Sequence, residues 1–367
     1  MNTTQVIDLE DAEGLLAADR EGLLRVASMA GAQVRAVVAA VDEGALESLR
    51  VDDRPRSAIW VAGRGTAETA GAMLAATLGG KADEPITVVS EAPPWVGPLD
   101  VLIVAGDDPG DPALVGAAAT GVRRGARVVV VAPYEGPLRD STAGRVAVLE
   151  PRLQVPEEFR LCRYLAAGLA ALQTVDSGLR IDMASLADEL DAEALRNSAG
   201  RELFTNPAKT LAARVSGRQV ALAGDCAATI ALARHGSSVL LRVAHQVAAA
   251  TGLADAIVAL QATSELGDAS ASVDALFHDE EIDGPLPERL RVLALTLGDE
   301  RTLVAARVAG LNDIYLVAAE DVPDAPGGLA ASGALPASTG AGRPEQQLAI
   351  LAVRLEMAAV YLRLVRG

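Results

Sequence analysis

One pattern occurs twice in this chain. Residues 58–71 read AIWVAGRGTAETAG, and residues 220–233 read VALAGDCAATIALA. Each is a short apolar run that stops at a glycine, passes a small-residue turn and enters an alanine-rich helix. A buried parallel strand looks like this when it delivers a helix N-terminus to a ligand crevice. Two such entries imply two stacked α/β halves, each able to hold an anionic small molecule at its turn.

The 367 residues suit two domains of ordinary size. The chain is 50% hydrophobic but only 2% aromatic, so Ala, Val and Leu must build the core, as in α/β layers of small side chains. The net charge is −17 and the basic residues are scattered. That pattern argues against nucleic acid and anionic membrane surfaces as partners. Cys162 and Cys226 are far apart, and there is no CxxC or Cys/His cluster. Neither structural zinc nor a disulfide framework is expected, and a reducing cytoplasm is. Residues 1–16, MNTTQVIDLEDAEGLL, lack the basic and apolar regions of a signal peptide, and no run of 18 apolar residues is free of charge, so no membrane span is expected.

Helical spacing over residues 8–50 predicts two helices before the first sheet. Strand-length apolar runs follow at 57–63, 86–89, 101–105, 127–132 and 145–149, with helical stretches such as 112–125 between several of them. This alternation implies right-handed crossovers and a parallel sheet. Residues 151–200 read as a helical bridge, with leucine and alanine stripes over 157–172 and 183–197. Strands are expected at 219–223, 256–260, 291–297 and 313–317, a Gly/Ala/Pro/Ser-rich loop at 324–344, and a long amphipathic helix at 345–364 packed on the second sheet or on a partner subunit. The resulting division is a helical segment 1–50, a first domain 51–150, a bridge 151–205 and a second domain 206–367. The fold class is α/β, with two doubly wound parallel sheets.

Gly63-Arg64-Gly65 follows a strand, as a dinucleotide fingerprint would, but Glu68 occupies the position of the third glycine. A tight strand-to-helix turn, or a sugar-phosphate turn in which backbone NH groups and Thr66 donate, fits better. Gly106-Asp107-Asp108-Pro109-Gly110-Asp111 ends the third strand. Its aspartates could hold a hard cation, but they read more naturally as a solvated turn that caps the next helix. No metal or organic cofactor is expected. His278 lies among Asp279, Glu280 and Glu281, where it could carry a proton or simply face solvent on an acidic loop. His235, read at a helix end, and His245 fit structural roles.

Together these residues resemble the sugar isomerase (SIS) family, most closely the bifunctional phosphoglucose/phosphomannose isomerases with their two SIS domains. Residues 61–71 are similar to the first Gly-rich turn of the family. Asn206-Pro207-Ala208-Lys209-Thr210-Leu211-Ala212 is similar to the segment opening the second domain, and is the most specific match. Residues 276–284 resemble the stretch Leu-Asn-His-Asn-Glu-Ile-x-Gly with one residue inserted, and Val360-Tyr361-Leu362 resembles the terminal helix.

The resemblance implies aldose–ketose isomerisation of a sugar phosphate, in which a histidine opens the ring and a glutamate moves a proton between carbons. The chain departs from that pattern where the chemistry is concentrated. The phosphate loop Ser-x-Ser-Gly-x-Thr falls on residues 105–110, where Ala105, Asp107 and Gly110 replace its hydroxyls. The catalytic glutamate falls near Leu241, in a stretch with no carboxylate. Losing a general base typically costs a factor on the order of 10²–10⁴. The implied catalytic set is His278, Arg160 and a replacement carboxylate from Glu280 or Glu281. The implied ligand contacts are Gly63, Gly65, Thr66, Gly106, Asp107 and Gly224. The reading that follows is a divergent SIS protein of carbohydrate metabolism, a homodimer, binding a sugar phosphate or related carbohydrate derivative with little or no turnover. The alternative is a glucose-6-phosphate/mannose-6-phosphate isomerase using His278. A DNA-binding SIS regulator is disfavoured, because no basic helix-turn-helix precedes the first sheet.

Overall fold

The computed structural model describes residues 7–51, 53–268, 290–321 and 343–366. Two parallel sheets organise them. The first contains β1 (Ser57–Val61), β2 (Ile86–Val89), β3 (Asp100–Ala105), β4 (Arg127–Val131) and β5 (Ala147–Val148), in the order β2-β1-β3-β4-β5. The second contains β6 (Gln219–Gly224), β7 (Ala248–Gly252), β8 (Leu290–Leu295) and β9 (Ile314–Val317), in the order β7-β6-β8-β9. In each sheet the repeated strand is central, and the order reverses beside it. The reversal falls between β1 and β3, and again between β6 and β8, which opens a crevice at the carboxyl ends of the strands.

Alternation along each strand divides the core. Ala58, Trp60 and Ala62 face a middle layer of helices, while Ile59 and Val61 face outward. The outer face of the first sheet is covered by α5 (Pro112–Arg124) and α6 (Gly136–Thr142). The outer face of the second is covered by helices here labelled α11 (Leu253–Asp268) and α12 (Arg301–Val308). Between the sheets lie α4 (Gly65–Leu78), α7 (Leu161–Val175), α8 (Met183–Arg196), α9 (Pro207–Val215), α10 (Ala227–Ala244) and α13 (Pro344–Arg366). Small residues permit the close approach this layer needs. A Cβ on Gly71 would fall 2.3 Å from Trp60, and one on Gly168 would fall 2.2 Å from Leu74.

The structure corrects several expectations. Residues 8–50 form three helices, α1 (Ala12–Ala18), α2 (Leu23–Ala27) and α3 (Ala30–Asp42), because Asp19 accepts from the backbone of Leu23 and Leu24 and Gly22 turns left-handed. The strand expected at 256–260 belongs to α11. Leu253, Ala256 and Leu260 bury one helical face, and Ala248–Gly252 pairs with β6 instead. His235 lies inside α10 rather than at its end, and His245 is the left-handed cap of that helix. The segment read as a loop at 324–344 lies outside the described residues, apart from Arg343 and Pro344.

The largest correction concerns α13. An amphipathic helix packed on the second sheet or on a partner subunit is expected there, yet every residue from Gln346 to Leu362 is buried, in the layer between the two sheets. Each of its central polar groups has an internal partner. The Arg354 guanidinium donates to Glu193 at 2.8 Å and to the carbonyls of Ala318 and Ala319. Glu356 meets His235 at 2.8 Å, and the Tyr361 hydroxyl donates to the Asn197 carbonyl at 2.6 Å.

Burial alone would push the Glu193 carboxyl up, but Arg354, Asn197 and Arg196 outweigh it and hold it below the usual glutamate value of 4.5. Its stabilisation is therefore complete above that value and lost as pH falls through the depressed value in the folded protein. Arg354→Leu leaves Glu193 buried without its main partner. Urea unfolding at neutral pH should show a loss of about 3–5 kcal/mol. A loss under about 1 kcal/mol, the range of a surface pair, would refute this account.

Candidate functional site

At the carboxyl ends of β1 and β3 lies a cavity of about 300 Å³, lined by Gly63, Arg64, Gly106, Asp107, Asp108, Asp111 and Glu157 among others. The two sheet-end turns supply most of it. β1 ends in the turn Ala62–Arg64 and enters α4 at Gly65, whose φ of +68° favours glycine. A Cβ on Gly106 would fall 2.4 Å from Leu114, so this glycine lets α5 close against the strand end.

The carboxylates in the cavity are already engaged. Arg160, at the start of α7, donates to Asp107, with both side chains largely buried. Asp108 accepts from the Gly110 backbone at 2.8 Å, and Asp111 caps α5 by accepting from Ala113 at 2.9 Å. The turn-and-cap reading of this aspartate run is thus the one the geometry follows. Arg64 lies 3.7 Å from both Asp108 and Asp111 and is mostly exposed. The Thr66 hydroxyl donates to the Glu157 carbonyl at 3.3 Å and is buried, so it is not a free donor.

Beside this cavity a smaller cleft of about 170 Å³ runs between α4 and α10, lined in part by Gly65, Thr66, Glu158, His235, Ser238 and Arg242. Here Arg242 donates to Glu157 at 3.1 Å and lies 3.0 Å from Glu158. Burial would lower the Arg242 pKa, but the two glutamates outweigh it and keep the guanidinium charged. Leu241, on the same turn of α10, is half exposed.

The structure therefore brings together Gly63, Gly65, Thr66, Gly106, Asp107 and Arg160 around the end of the first sheet. Gly224 is elsewhere, at the end of β6 in the second sheet. A Cβ there would fall 2.4 Å from the Ile230 backbone nitrogen, so its role is steric. His278, Glu280 and Glu281 lie outside the described residues. Sequence reasoning missed Arg64, Glu157, Glu158 and Arg242. The two glutamates sit on a single helical turn, Glu157–Phe159, that folds back from the bridge, and nothing in their spacing announces that contact.

Asn206-Pro207-Ala208-Lys209 is a latch rather than a binding loop. Asn206 caps α9 by accepting from Lys209, and the buried Lys209 ammonium donates to the carbonyls of Ala199 and Arg201 at 2.8 and 2.9 Å. Asn197 accepts from the Ala208 backbone.

No protein-family model and no curated protein matches the sequence. Solved structures do match the fold. Tagatose-6-phosphate ketose/aldose isomerase from Escherichia coli superposes with a TM-score of 0.59 at 15% identity, covering 93% of this chain and 91% of that one. A glucose-6-phosphate isomerase like protein from Thermus thermophilus gives 0.52 at 19% identity, covering 98% and 96%. The C-terminal domain of glucosamine-fructose-6-phosphate aminotransferase from Francisella tularensis gives 0.56 at 11% identity, covering 93% and 94%.

The chain has the sugar isomerase fold. Both halves of the SIS architecture are present, with helical segments before and between the sheets. Among the described residues no helix is long and apolar enough to cross a membrane.

The two glycines of the first turn are expected to differ. Gly65→Ala imposes a left-handed alanine and places its Cβ 2.7 Å from the Glu157 carboxylate, while Gly63→Ala points into open space. Thermal unfolding should show a cost of about 1–2 kcal/mol for Gly65→Ala and about 0.5 kcal/mol or less for Gly63→Ala. Equal costs would contradict the geometry.

Proposed function

We propose that this chain is a carbohydrate-binding SIS protein that uses the crevice between β1 and β3 and does not isomerise its ligand. The observation that carries this reading is the ion pair between Asp107 and Arg160. In the SIS resemblance the loop after β3 offers hydroxyls to a phosphate, and Arg160 falls at the arginine position. Here a carboxylate of the protein itself occupies that guanidinium. A phosphate dianion entering the cavity would also face Asp108, Asp111 and Glu157. Two like charges 4 Å apart near a protein surface repel by about 4 kcal/mol. Hydroxyl groups of a neutral sugar suffer no such penalty and can both donate to the carboxylates and accept from Arg64.

A second reading, an active glucose-6-phosphate/mannose-6-phosphate isomerase, draws support from Glu157 and Glu158. They approach Arg242, next to Leu241, where the family resemblance places the proton-transferring glutamate. Both are ion-paired to that arginine, so their carboxylate oxygens are already engaged. We infer a cytoplasmic place of work, consistent with the free thiols of Cys162 and Cys226. We also infer a homodimer, supported by the exposed Leu241 and Val247 at the end of α10. Sedimentation velocity should then report twice the 37.6 kDa chain mass, and a monomer at all concentrations would refute it.

A coupled isomerase assay with glucose 6-phosphate, mannose 6-phosphate and fructose 6-phosphate should show no turnover above background. Turnover that disappears in His278→Ala or Glu157→Gln would establish the second reading. Asp107→Ser frees Arg160 and restores a hydroxyl, and calorimetry should show a phosphate site in the crevice that the parent chain lacks.

A further inference from the structure

The surface of this acidic protein carries a concentration of unpaired positive charge away from the crevice. Lys81, Arg180 and Arg343 line one cavity of about 340 Å³ at the carboxyl end of α4. The helix spans 14 residues, so this cavity lies about 20 Å along its axis from the crevice. Among the described residues neither Lys81 nor Arg180 has a side-chain hydrogen bond or ion pair, and Arg343 makes one exposed bond, to the Ser185 hydroxyl at 3.2 Å. None of the three is ion-paired among the described residues, and with Asp182 and Glu345 on the same wall the lining keeps a net positive charge on a chain of net charge −17.

Two further features belong to the same cavity. The helices α8 and α13 both begin at its wall, through Asp182 and Glu345, so two positive helix ends converge on it. Gln346 lines it while 4% exposed, and its Oε1 is buried with no partner. The Glu345 Oε2 is likewise buried and unpartnered. A buried acceptor left without a donor costs about 1–3 kcal/mol, so a side-chain rotation that turns these oxygens toward a ligand's donors relieves a standing penalty. Leu179 and Leu186 supply a buried apolar floor.

Cations call for an acid group, and orphaned acceptors call for hydroxyls or amines on the same molecule. We propose that this cavity binds a small polyhydroxylated anion, a phosphorylated or carboxylated sugar or polyol. Its acid group rests on Lys81, Arg180 and Arg343, and its hydroxyls donate to Gln346 and Glu345. The Glu345 carboxylate repels the acid group from the acceptor end and so fixes the orientation. Occupancy ties the end of α4 to the starts of α8 and α13. The site is independent of the crevice reading, since it shares no residue with it.

Calorimetric titration of the full chain with glucose 6-phosphate, glucuronate, inorganic phosphate and glucose, in matched chloride, tests the proposal. Glucose 6-phosphate or glucuronate should bind more tightly than inorganic phosphate and than glucose. Lys81→Glu with Arg180→Glu, both on exposed side chains, should weaken that binding about tenfold or more while leaving the unliganded melting temperature unchanged. Gln346→Leu should remove the preference over inorganic phosphate. Should the double variant misfold, Arg343→Ala provides the same readout. Absence of binding to all three anions, affinity unaltered by the charge reversal, or glucose binding as tightly as its phosphate would each overturn the assignment. Loss of binding in these variants with the crevice variants unaffected separates this site from the proposed function.

Discussion

A guanidinium removed from water at the centre of the molecule sets the terms for everything around it. Arg354 lies on a helix with no solvent-facing side over seventeen consecutive residues, and it is tolerable there only because Glu193 and two backbone carbonyls receive it. A single charge so placed is costly to desolvate, and the pair is acceptable because its remaining hydrogen-bonding capacity is filled. Asn197 extends the set by donating to Glu193 at 2.7 Å and accepting from Ala208, and its backbone carbonyl receives the Tyr361 hydroxyl. One polar network thus joins the bridge helix α8, the opening of the second half and the terminal helix. Apolar packing could attract these elements, but it would not fix their relative register.

The crevice shows the same rule applied at the surface. Strand order and glycine turns open a crevice at the end of the first sheet. Side chains then set its charge. Asp107 neutralises Arg160 from within, and Glu157 reaches across from the bridge to Arg242 on the second half. The scaffold and its electrostatics are therefore separable: the backbone answers to sheet topology, while a few side chains in two loops set the charge of the crevice.

The alternation of buried strands and alanine-rich helices was legible in the residues because parallel strands buried on both faces read as continuous apolar runs. Eight of the nine described strands fall where such runs lie, and β7 does not. Its residues, Ala248–Gly252, have no β-branched side chain but Thr251, and they become a strand through pairing with β6 rather than through propensity. The terminal helix departs for the opposite reason: Arg354 and Glu356 give it an amphipathic pattern, and only their distant partners allow burial on every side. The crevice glycines and Asp107 could be named in advance because they follow strands. Glu157 and Arg242 could not, since their meeting joins positions 85 residues apart through a fold-level contact.

The place of α13 in the chain has a consequence for biosynthesis. It fills the space between the two sheets, yet it follows every other described element in order of translation. Before α13 docks, the inward surfaces of α8, α9 and α10 lack that cover, Glu193 keeps only Arg196 and Asn197, and His235 lacks its hydrogen-bond partner Glu356. Until α13 docks, the elements that precede it leave an apolar trough open between the two sheets.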